Sequence, residues 1–232
     1  MTKPPASQTP STPAKNRATQ GLERALDPLT SAIKRAVQPV ADLAGHLTPG
    51  GDAPAPGKPG LDVSPLAVPL PVMPPLAGAR LATARSGFYK HERKDTLLMV
   101  FDEGTTCAGV FTRHTVGSAP VDWCKKQLAA NAGADVRALI VNAGCANAFT
   151  GKAGDDAARR TASALARRVD CRQRDIMLAS TGVIGVVLDD AKIAARIPQR
   201  EADLRADAWA DAAAAIMTTD TFPKGASETA EI

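Results

Sequence analysis

The residues best suited to chemistry in this sequence are Ser180, Thr181 and Gly182, which directly follow the short apolar run 176–178. The apolar run predicts a strand, and the small residues and glycine after it predict a turn. A glycine allows close approach of the backbone to another molecule, and a neighbouring hydroxyl can donate to an anionic oxygen. Together they are the parts of an oxyanion hole, in which fixed donors face a developing negative charge. Most segments of this kind are simple turns, in which the Thr181 hydroxyl would be bonded locally.

A second polar segment, Asn142-Ala-Gly-Cys-Ala-Asn147, follows the short apolar run 138–141. That run predicts a buried strand ending at Asn142. Asn142 and Asn147 bracket a turn that contains Gly144, and we expect them near the active site. Their amides are candidates for loop support through bonds to the backbone, or for contact with a substrate.

A third segment places Thr218 and Thr219 immediately before Asp220, after a predicted helix over 204–217. Hydroxyls flanking a carboxylate suit the polar backbone of an amino-acid substrate. Clusters of threonine and aspartate after a helix are also common as turns and caps, so both interpretations remain open here.

Neither the cysteines nor the histidines form a recognisable metal site. The four cysteines include no C-x-x-C pair, and the three histidines form no H-E-x-x-H motif, so we predict no metal and no cofactor. Cys145 could be imagined as a nucleophile, but a small buried thiol at a strand end is the better interpretation. Unpaired cysteines fit a reducing compartment, which favours the cytoplasm.

The composition argues against nucleic-acid and membrane partners. The net charge of +4 is small, and the basic residues are dispersed or occur as pairs in predicted helices. No stretch approaches the roughly 20 apolar residues that span a bilayer. The first 20 residues are rich in Ser and Thr and contain no acidic residue, so an organelle transit peptide remains an alternative to a basic tail.

The sequence changes character near residue 76. Fifteen of the 18 prolines lie in residues 1–75, which predicts a largely disordered extension with a short amphipathic helix within 21–46. Residues 76–232 alternate between strand and helix patterns and predict an α/β domain. The predicted strands are 96–101, 107–111, 138–141 and 175–179, and the predicted helices are 121–130, 155–169, 189–197 and 204–217.

Four segments, in this order and spacing, resemble the ornithine acetyltransferase family of arginine biosynthesis, also called glutamate N-acetyltransferases. They are Gly104-Thr-Thr-Cys-Ala-Gly-Val-Phe-Thr112 with Ala119-Pro-Val121, Asn142-Ala-Gly-Cys-Ala-Asn-Ala148, Ser180-Thr-Gly-Val-Ile-Gly185 and Ala215-Ile-Met-Thr-Thr-Asp-Thr-Phe-Pro-Lys224. The resemblance covers roughly Met73 to Ile232, and several ordered matches are far more specific than any single motif.

The resemblance implies a layered fold with two sheets sandwiched by helices. It also implies acetyl transfer between N-acetylornithine and glutamate through an acetyl-threonine intermediate, with acetyl-CoA as an additional acetyl donor in bifunctional members. Thr181 and Gly182 would form the oxyanion hole, and Thr218 or Thr219 would contact the substrate.

The resemblance also implies an assembly of two α and two β chains cut from one precursor. The nucleophile in the family is a threonine released by self-cleavage within a Lys-Gly-(Ala/Ser)-Gly-Met and Ala-Thr-Met-Leu segment. That segment does not occur in this sequence, so no nucleophile is assigned and the polypeptide alone is predicted to be inactive.

Two other functions remain open from the sequence. The chain could belong to an N-terminal-nucleophile amidohydrolase or aminopeptidase of similar fold, in which water replaces glutamate as acceptor. It could also be a non-catalytic binding module whose working part is the proline-rich segment.

Overall fold

The computed structural model describes residues 63–197 and 203–229. The helix predicted within 21–46 lies outside these residues, and the boundary near residue 76 stays a prediction. Residues 63–78 contain turns but no helix or strand.

The described residues form one four-stranded sheet with flanking helices, which confirms the predicted α/β class. The strands lie in the order β1-β2-β3-β4, with β1–β2 and β2–β3 antiparallel and β3–β4 parallel. The two sheets implied by the resemblance are not both formed within 63–197 and 203–229. The strands are β1 (Ala79–Ala84), β2 (Thr96–Phe101), β3 (Ala138–Cys145) and β4 (Ile176–Val183).

The helices cover the two faces and one edge of the sheet. They are α1 (Ala119–Asn131), α2 (Gly151–Arg168), α3 (Asp190–Ala194) and α4 (Trp209–Ala215). α2 and α3 pack on the face that carries Leu98, Ile140 and Leu178. α4 packs on the opposite face against Leu81 and Leu97.

Helix α1 lies along β4, the outer strand of the parallel pair. The Trp123 indole N–H donates to the Ile176 carbonyl at 2.8 Å, and the Cys124 thiol donates to the Leu178 carbonyl at 3.1 Å. These side chains cover an edge that would otherwise present unpaired backbone groups. Pro120 lies in the first turn of α1, where its missing N–H costs nothing.

The helix α2 turns an alanine-rich stripe to the sheet and its arginines to solvent. Ala157, Ala158, Thr161, Ala162 and Leu165 are buried at the i, i+3, i+4 spacing of one helix face. The buried face of α2 is therefore built mainly from small side chains.

The strand predicted over 107–111 is wrong. Because β2 is already paired on both sides by β1 and β3, no edge remains there for a hairpin partner. Instead the Cys107 N–H donates to the Gly133 carbonyl at 2.7 Å, and Phe111 packs in the small cluster around Cys124. Strand β1, which fills the position, was not predicted because its alanine-rich sequence has little strand signal.

The helix predicted over 204–217 is shorter than expected, since α4 begins only at Trp209. Part of the difference is an isolated antiparallel bridge between Leu81 and Arg205, closed by N–H to carbonyl bonds of 2.8 Å in both directions. An extended residue paired with β1 cannot be helical.

Candidate functional site

The carboxyl ends of β3 and β4 place two of the predicted segments side by side. In the parallel register Asn142 pairs with Ser180, Ala143 with Thr181, and Gly144 with Gly182. The turn predicted at 180–182 is wrong in detail, because these residues belong to β4, which continues to Val183. Likewise β3 runs past Asn142 to Cys145.

The backbone conformation and the surroundings of Gly182 strongly favour glycine. Its φ of +133° is a conformation that other residues rarely adopt. A Cβ built there would collide with the Gly144 carbonyl carbon and lie 2.6 Å from the Cys145 nitrogen. The missing side chain therefore allows the two strand ends to meet backbone against backbone.

Thr181 and Gly182 are open to a ligand. Gly182 is exposed and Thr181 is half-buried. No group within 63–197 and 203–229 hydrogen-bonds to the Thr181 hydroxyl, whereas the Ser180 hydroxyl beside it donates to Asn142 Oδ1 at 2.6 Å. The local bond that the turn interpretation required for Thr181 is absent from the described structure.

Asn142 lies beneath this pair and bonds to both strands. It is buried, accepts the Ser180 bond on Oδ1 and donates from Nδ2 to the Cys145 carbonyl at 2.9 Å. Its amide thus has partners on both its donor and acceptor sides, and Asn142 holds the end of β3 against β4.

Asn147 joins the loop after β3 to the start of α2. It is fully buried with a φ of +47°. Its Oδ1 accepts from the Thr150 hydroxyl at 2.9 Å and its Nδ2 donates to the Gly154 carbonyl at 3.0 Å. Both contacts are within the protein, so the side chain faces the loop and not solvent.

Thr218 and Thr219 follow α4, as the sequence indicated. The Thr218 N–H donates to Asp220 Oδ2 at 3.0 Å, and Lys224 Nζ donates to Asp220 Oδ1 at 2.5 Å. The Lys224 bond, with help from the Thr218 N–H, holds the pKa of the Asp220 carboxyl below its usual value. Thr218 is half-buried and Thr219 exposed, and neither hydroxyl has a hydrogen-bond partner among the described residues.

A loop between β1 and β2 connects these two groups of residues. The Tyr89 ring lies against Gly144, since a Cβ built on Gly144 would be 3.2 Å from Tyr89 Cε2. The Arg93 guanidinium lies 4.4 Å from the centre of the Tyr89 ring, and its Nη2 donates to the Met217 carbonyl at 2.7 Å. Burial, more than any neighbouring charge, raises the pKa of the Tyr89 phenol above its ordinary value.

Sequence reasoning missed Tyr89, Arg93 and the buried Asp95. Arg93 and Asp95 lie in a run of charged residues whose pattern predicts a solvent-exposed loop. No local sequence feature distinguishes them from the other charged residues of that run. Their roles depend on partners more than 120 positions away for Arg93 and on a turn seven to nine residues back for Asp95.

A small cavity of about 10 Å³ lies behind the paired strand ends, and its lining includes Asn142, Asn147 and Ser180. It has room for about one water molecule. An amino acid cannot occupy it, and Thr181 is not among its lining residues.

The cysteines do not form an activated site in the described residues. All four are free thiols, and the Cys145 thiol donates to the Val186 carbonyl at 3.2 Å. Burial raises the pKa of Cys171 to about 11 and also raises the pKa values of Cys107 and Cys124. Raised values disfavour the thiolate that a nucleophile or metal ligand requires.

No group of three or more His, Cys, Asp or Glu side chains is arranged to hold a metal ion in 63–197 and 203–229. No helix in the same part of the chain is long and apolar enough to cross a membrane.

Comparison with known sequences identifies relatives that match the same region. The model of the ArgJ family matches residues 80–232. The arginine biosynthesis bifunctional protein ArgJ of Caulobacter vibrioides is 71% identical over 165 residues, which are 71% of this chain and 41% of that protein. The protein of the same name from Rhizobium meliloti is 50% identical over 160 residues, 69% of this chain and 38% of that protein. The chain therefore spans about two fifths of the length of these relatives.

Two solved structures resemble the chain in fold. Ornithine acetyltransferase from Mycobacterium tuberculosis, solved in complex with ornithine, has a TM-score of 0.61 at 32% identity and covers 68% of this chain and 93% of its own. The arginine biosynthesis bifunctional protein ArgJ from Bacillus halodurans has a TM-score of 0.56 at 30% identity, covering 62% of this chain and 74% of its own.

Proposed function

Because the chain belongs to the ArgJ family, we propose that it forms the oxyanion-binding part of an ornithine acetyltransferase of arginine biosynthesis. The enzyme transfers an acetyl group between N-acetylornithine and glutamate, with acetyl-CoA as an alternative acetyl donor and no bound cofactor. The observation that carries this proposal is the free Thr181 hydroxyl beside the exposed Gly182, at a strand end that the Gly144 contact holds in place.

The first half-reaction needs a nucleophilic hydroxyl, which we assign to no residue of this chain. Attack of that oxygen on the acetyl carbonyl of N-acetylornithine places a negative charge on the carbonyl oxygen. The Thr181 hydroxyl and the Gly182 N–H donate to this oxygen, and donors fixed in advance lower the barrier most. The proton of the attacking hydroxyl passes to the amide nitrogen, and collapse of the intermediate breaks the carbon–nitrogen bond. The acetyl group stays on the hydroxyl oxygen as an ester, and ornithine leaves with a free amine.

The second half-reaction reverses these steps with glutamate. Its amine attacks the acetyl ester, the same two donors stabilise the oxyanion, and collapse breaks the ester bond to give N-acetylglutamate and the free hydroxyl. Thr218 or Thr219 contacts the polar groups of the amino acid. The bonds from Lys224 and the Thr218 N–H, which lower the pKa of the Asp220 carboxyl, also support the turn that carries these threonines.

An exposed apolar surface follows Gly182 and suits the remaining part of the enzyme. Val183, Ile184, Val186 and Val187 are 46–62% exposed, and Phe149 beside them is 64% exposed. A contiguous apolar patch of this kind marks an interaction site. We propose that the family's β chain covers it within an α₂β₂ assembly, which brings the nucleophile to Thr181.

The free cysteines support a reducing location, and we propose the cytoplasm.

The experiment that tests the function uses two proteins. One is residues 1–232 alone. The other, called the hybrid enzyme below, is the Caulobacter relative with this chain in place of the matching portion. We expect the hybrid to transfer a labelled acetyl group from N-acetylornithine to glutamate and the chain alone to transfer none.

Each alternative function predicts a different outcome. Acetate release without N-acetylglutamate would identify an amidohydrolase. A hybrid that folds but does neither, beside an active Caulobacter enzyme, would indicate a binding module. Turnover by residues 1–232 alone would show that the nucleophile lies within this chain.

A further inference from the structure

We infer that Arg93 is a positioning residue for the amino-acid substrate: it holds the segment with Thr218 and Thr219 at a set distance from the Gly144–Gly182 pair. This inference rests on the proposed function, because it assumes that one of the threonines binds substrate.

Arg93 binds the end of helix α4, just before the threonines. Its Nη2 donates to the carbonyls of Ala214, Ala215 and Met217 at 3.2, 3.4 and 2.7 Å. The last carbonyls of a helix lack partners within the helix, and a cation is favourable at this negative end of the helix dipole. One guanidinium thus fixes the direction in which the chain leaves α4 towards Thr218.

The same guanidinium lies over the Tyr89 ring, with 4.4 Å between the Arg93 carbon and the ring centre. Cation–π contact favours this arrangement. Tyr89 and Phe88 in turn approach Gly144, where a Cβ would lie 3.2 Å from Tyr89 Cε2 and 2.9 Å from Phe88 Cβ. The contacts therefore run without a break from Met217 through Arg93 and Tyr89 to Gly144, the strand partner of Gly182.

The loop that carries Arg93 has a firm base. The fully buried Asp95 carboxylate accepts the backbone N–H groups of Ser86, Gly87 and Phe88 at 2.6, 3.0 and 2.8 Å. Charge-assisted bonds of this kind are the stronger ones in proteins. Asp95 thus ties the two ends of the loop together, and Arg93 joins this loop to Met217.

This arrangement predicts a specific kinetic effect. Contacts of Thr218 or Thr219 with the non-reacting groups of the amino acid are made equally in the ground state and the transition state. Loss of such contacts raises KM and leaves kcat unchanged. Loss of the oxyanion donors at Thr181 and Gly182 acts on kcat instead.

The test compares Arg93→Gln, Arg93→Lys and Lys94→Gln in the hybrid enzyme. Arg93→Gln removes the charge and the forked donors. We expect its KM for N-acetylornithine and its calorimetric Kd for ornithine to rise about tenfold, while kcat changes less than about threefold. Arg93→Lys keeps the cation but not the planar fork, so an intermediate KM and Kd are expected.

Lys94→Gln is the matched control, because Lys94 lies on the same loop as Arg93 and contacts the same helix, α4. Lys94 Nζ pairs with Asp211 Oδ2 at 3.0 Å, near the start of α4 and away from the carbonyls at its end. We expect Lys94→Gln to leave KM and Kd unchanged, whatever it does to the melting temperature.

Two results would overturn the inference. One is an unchanged KM and Kd for Arg93→Gln, which would show that Arg93 contributes only to stability and not to substrate positioning. The other is an equal rise in KM for Lys94→Gln, which would show that any loosening of α4 has the effect. If the parent hybrid binds ornithine but transfers no acetyl group, the proposed reaction fails while Kd still tests Arg93. If it neither binds nor transfers, both fail.

Discussion

Gly144 and Gly182 lie opposite each other in the parallel strands β3 and β4, so close that a Cβ on Gly182 would collide with the Gly144 backbone. Both have positive φ, +104° and +133°. Beside this contact, Asn142 accepts a hydrogen bond from Ser180, and the Tyr89 ring lies against Gly144. The position of Thr181 is therefore set by the pairing of two strands and not by a flexible turn.

The Gly182→Ala substitution should strongly destabilise the protein. It adds the strain of an unfavourable φ to a backbone collision, and each costs about 1–3 kcal/mol. Gly185→Ala is the matched control, because Gly185 has a φ of +83° but nothing within 4 Å of its built Cβ. Urea unfolding should show a clearly larger loss for Gly182→Ala; equal losses would mean that the strand contact is unimportant.

The Thr181→Ala substitution in the hybrid enzyme should lower kcat by about 10²–10³-fold. The hydroxyl meets a full negative charge only in the tetrahedral state, so KM should change little. Thr181→Ser keeps the donor and should retain much of the rate, and Thr181→Val keeps the shape and should not. Unchanged kcat with a lower melting temperature would assign the hydroxyl a structural role.

Asn142 and Ser180 should act as a coupled pair in folding. Asn142→Ala leaves the Cys145 carbonyl without its side-chain donor and the Ser180 hydroxyl without its acceptor, at a cost of about 1–3 kcal/mol. Ser180→Ala should cost less, and the double variant should cost less than the sum. Strict additivity in urea unfolding would show that the 2.6 Å bond contributes little.

The Asp220 turn should lose stability in acid. The pKa of Asp220 is lowered in the folded protein, so its contribution is fully present above the ordinary value of 3.8 and is lost as the pH falls through the folded value. Asp220→Asn should remove the part of the acid sensitivity below pH about 4 that comes from this group. A carboxyl NMR titration midpoint at or above the ordinary value would contradict the Lys224 and Thr218 bonds as its cause.

The Ile184→Asp substitution should weaken assembly of the hybrid enzyme without unfolding this chain. Ile184 is 62% exposed in the chain by itself, so a charge there meets water. In the proposed assembly the same charge would be buried against the β chain, which is costly. Lys126→Asp, at an exposed position of α1, is the control. Sedimentation that shows the same assembly for Ile184→Asp and the parent would argue against this surface.

Much of the sheet could be predicted because its strands carry their own signal. Residues 96–101 and 138–141 are apolar runs that strand pairing buries, and the structure confirms both. The predicted strand at 107–111 has a similar local pattern and fails, because β1 occupies the edge that it needed. Which strand occupies an edge depends on all the strands of the sheet, so a window of ten residues cannot predict it.

The residue types at the site were determined by the sequence: a hydroxyl before a glycine at 181–182, two asparagines around Gly144, and two threonines before Asp220. The types and spacing of these residues were enough to indicate the family. The hydroxyl and glycine donors of an oxyanion hole are neighbours in the chain, so a short segment of sequence can show them. Only the tertiary structure decided that Gly144 and Gly182 touch, that Asn142 faces inward to Ser180, and that Arg93 ties α4 to Tyr89. These relationships join residues 38 to 124 positions apart. Strand register and helix packing decide these contacts. Both depend on burial over the whole domain, so no short segment of the sequence predicts them.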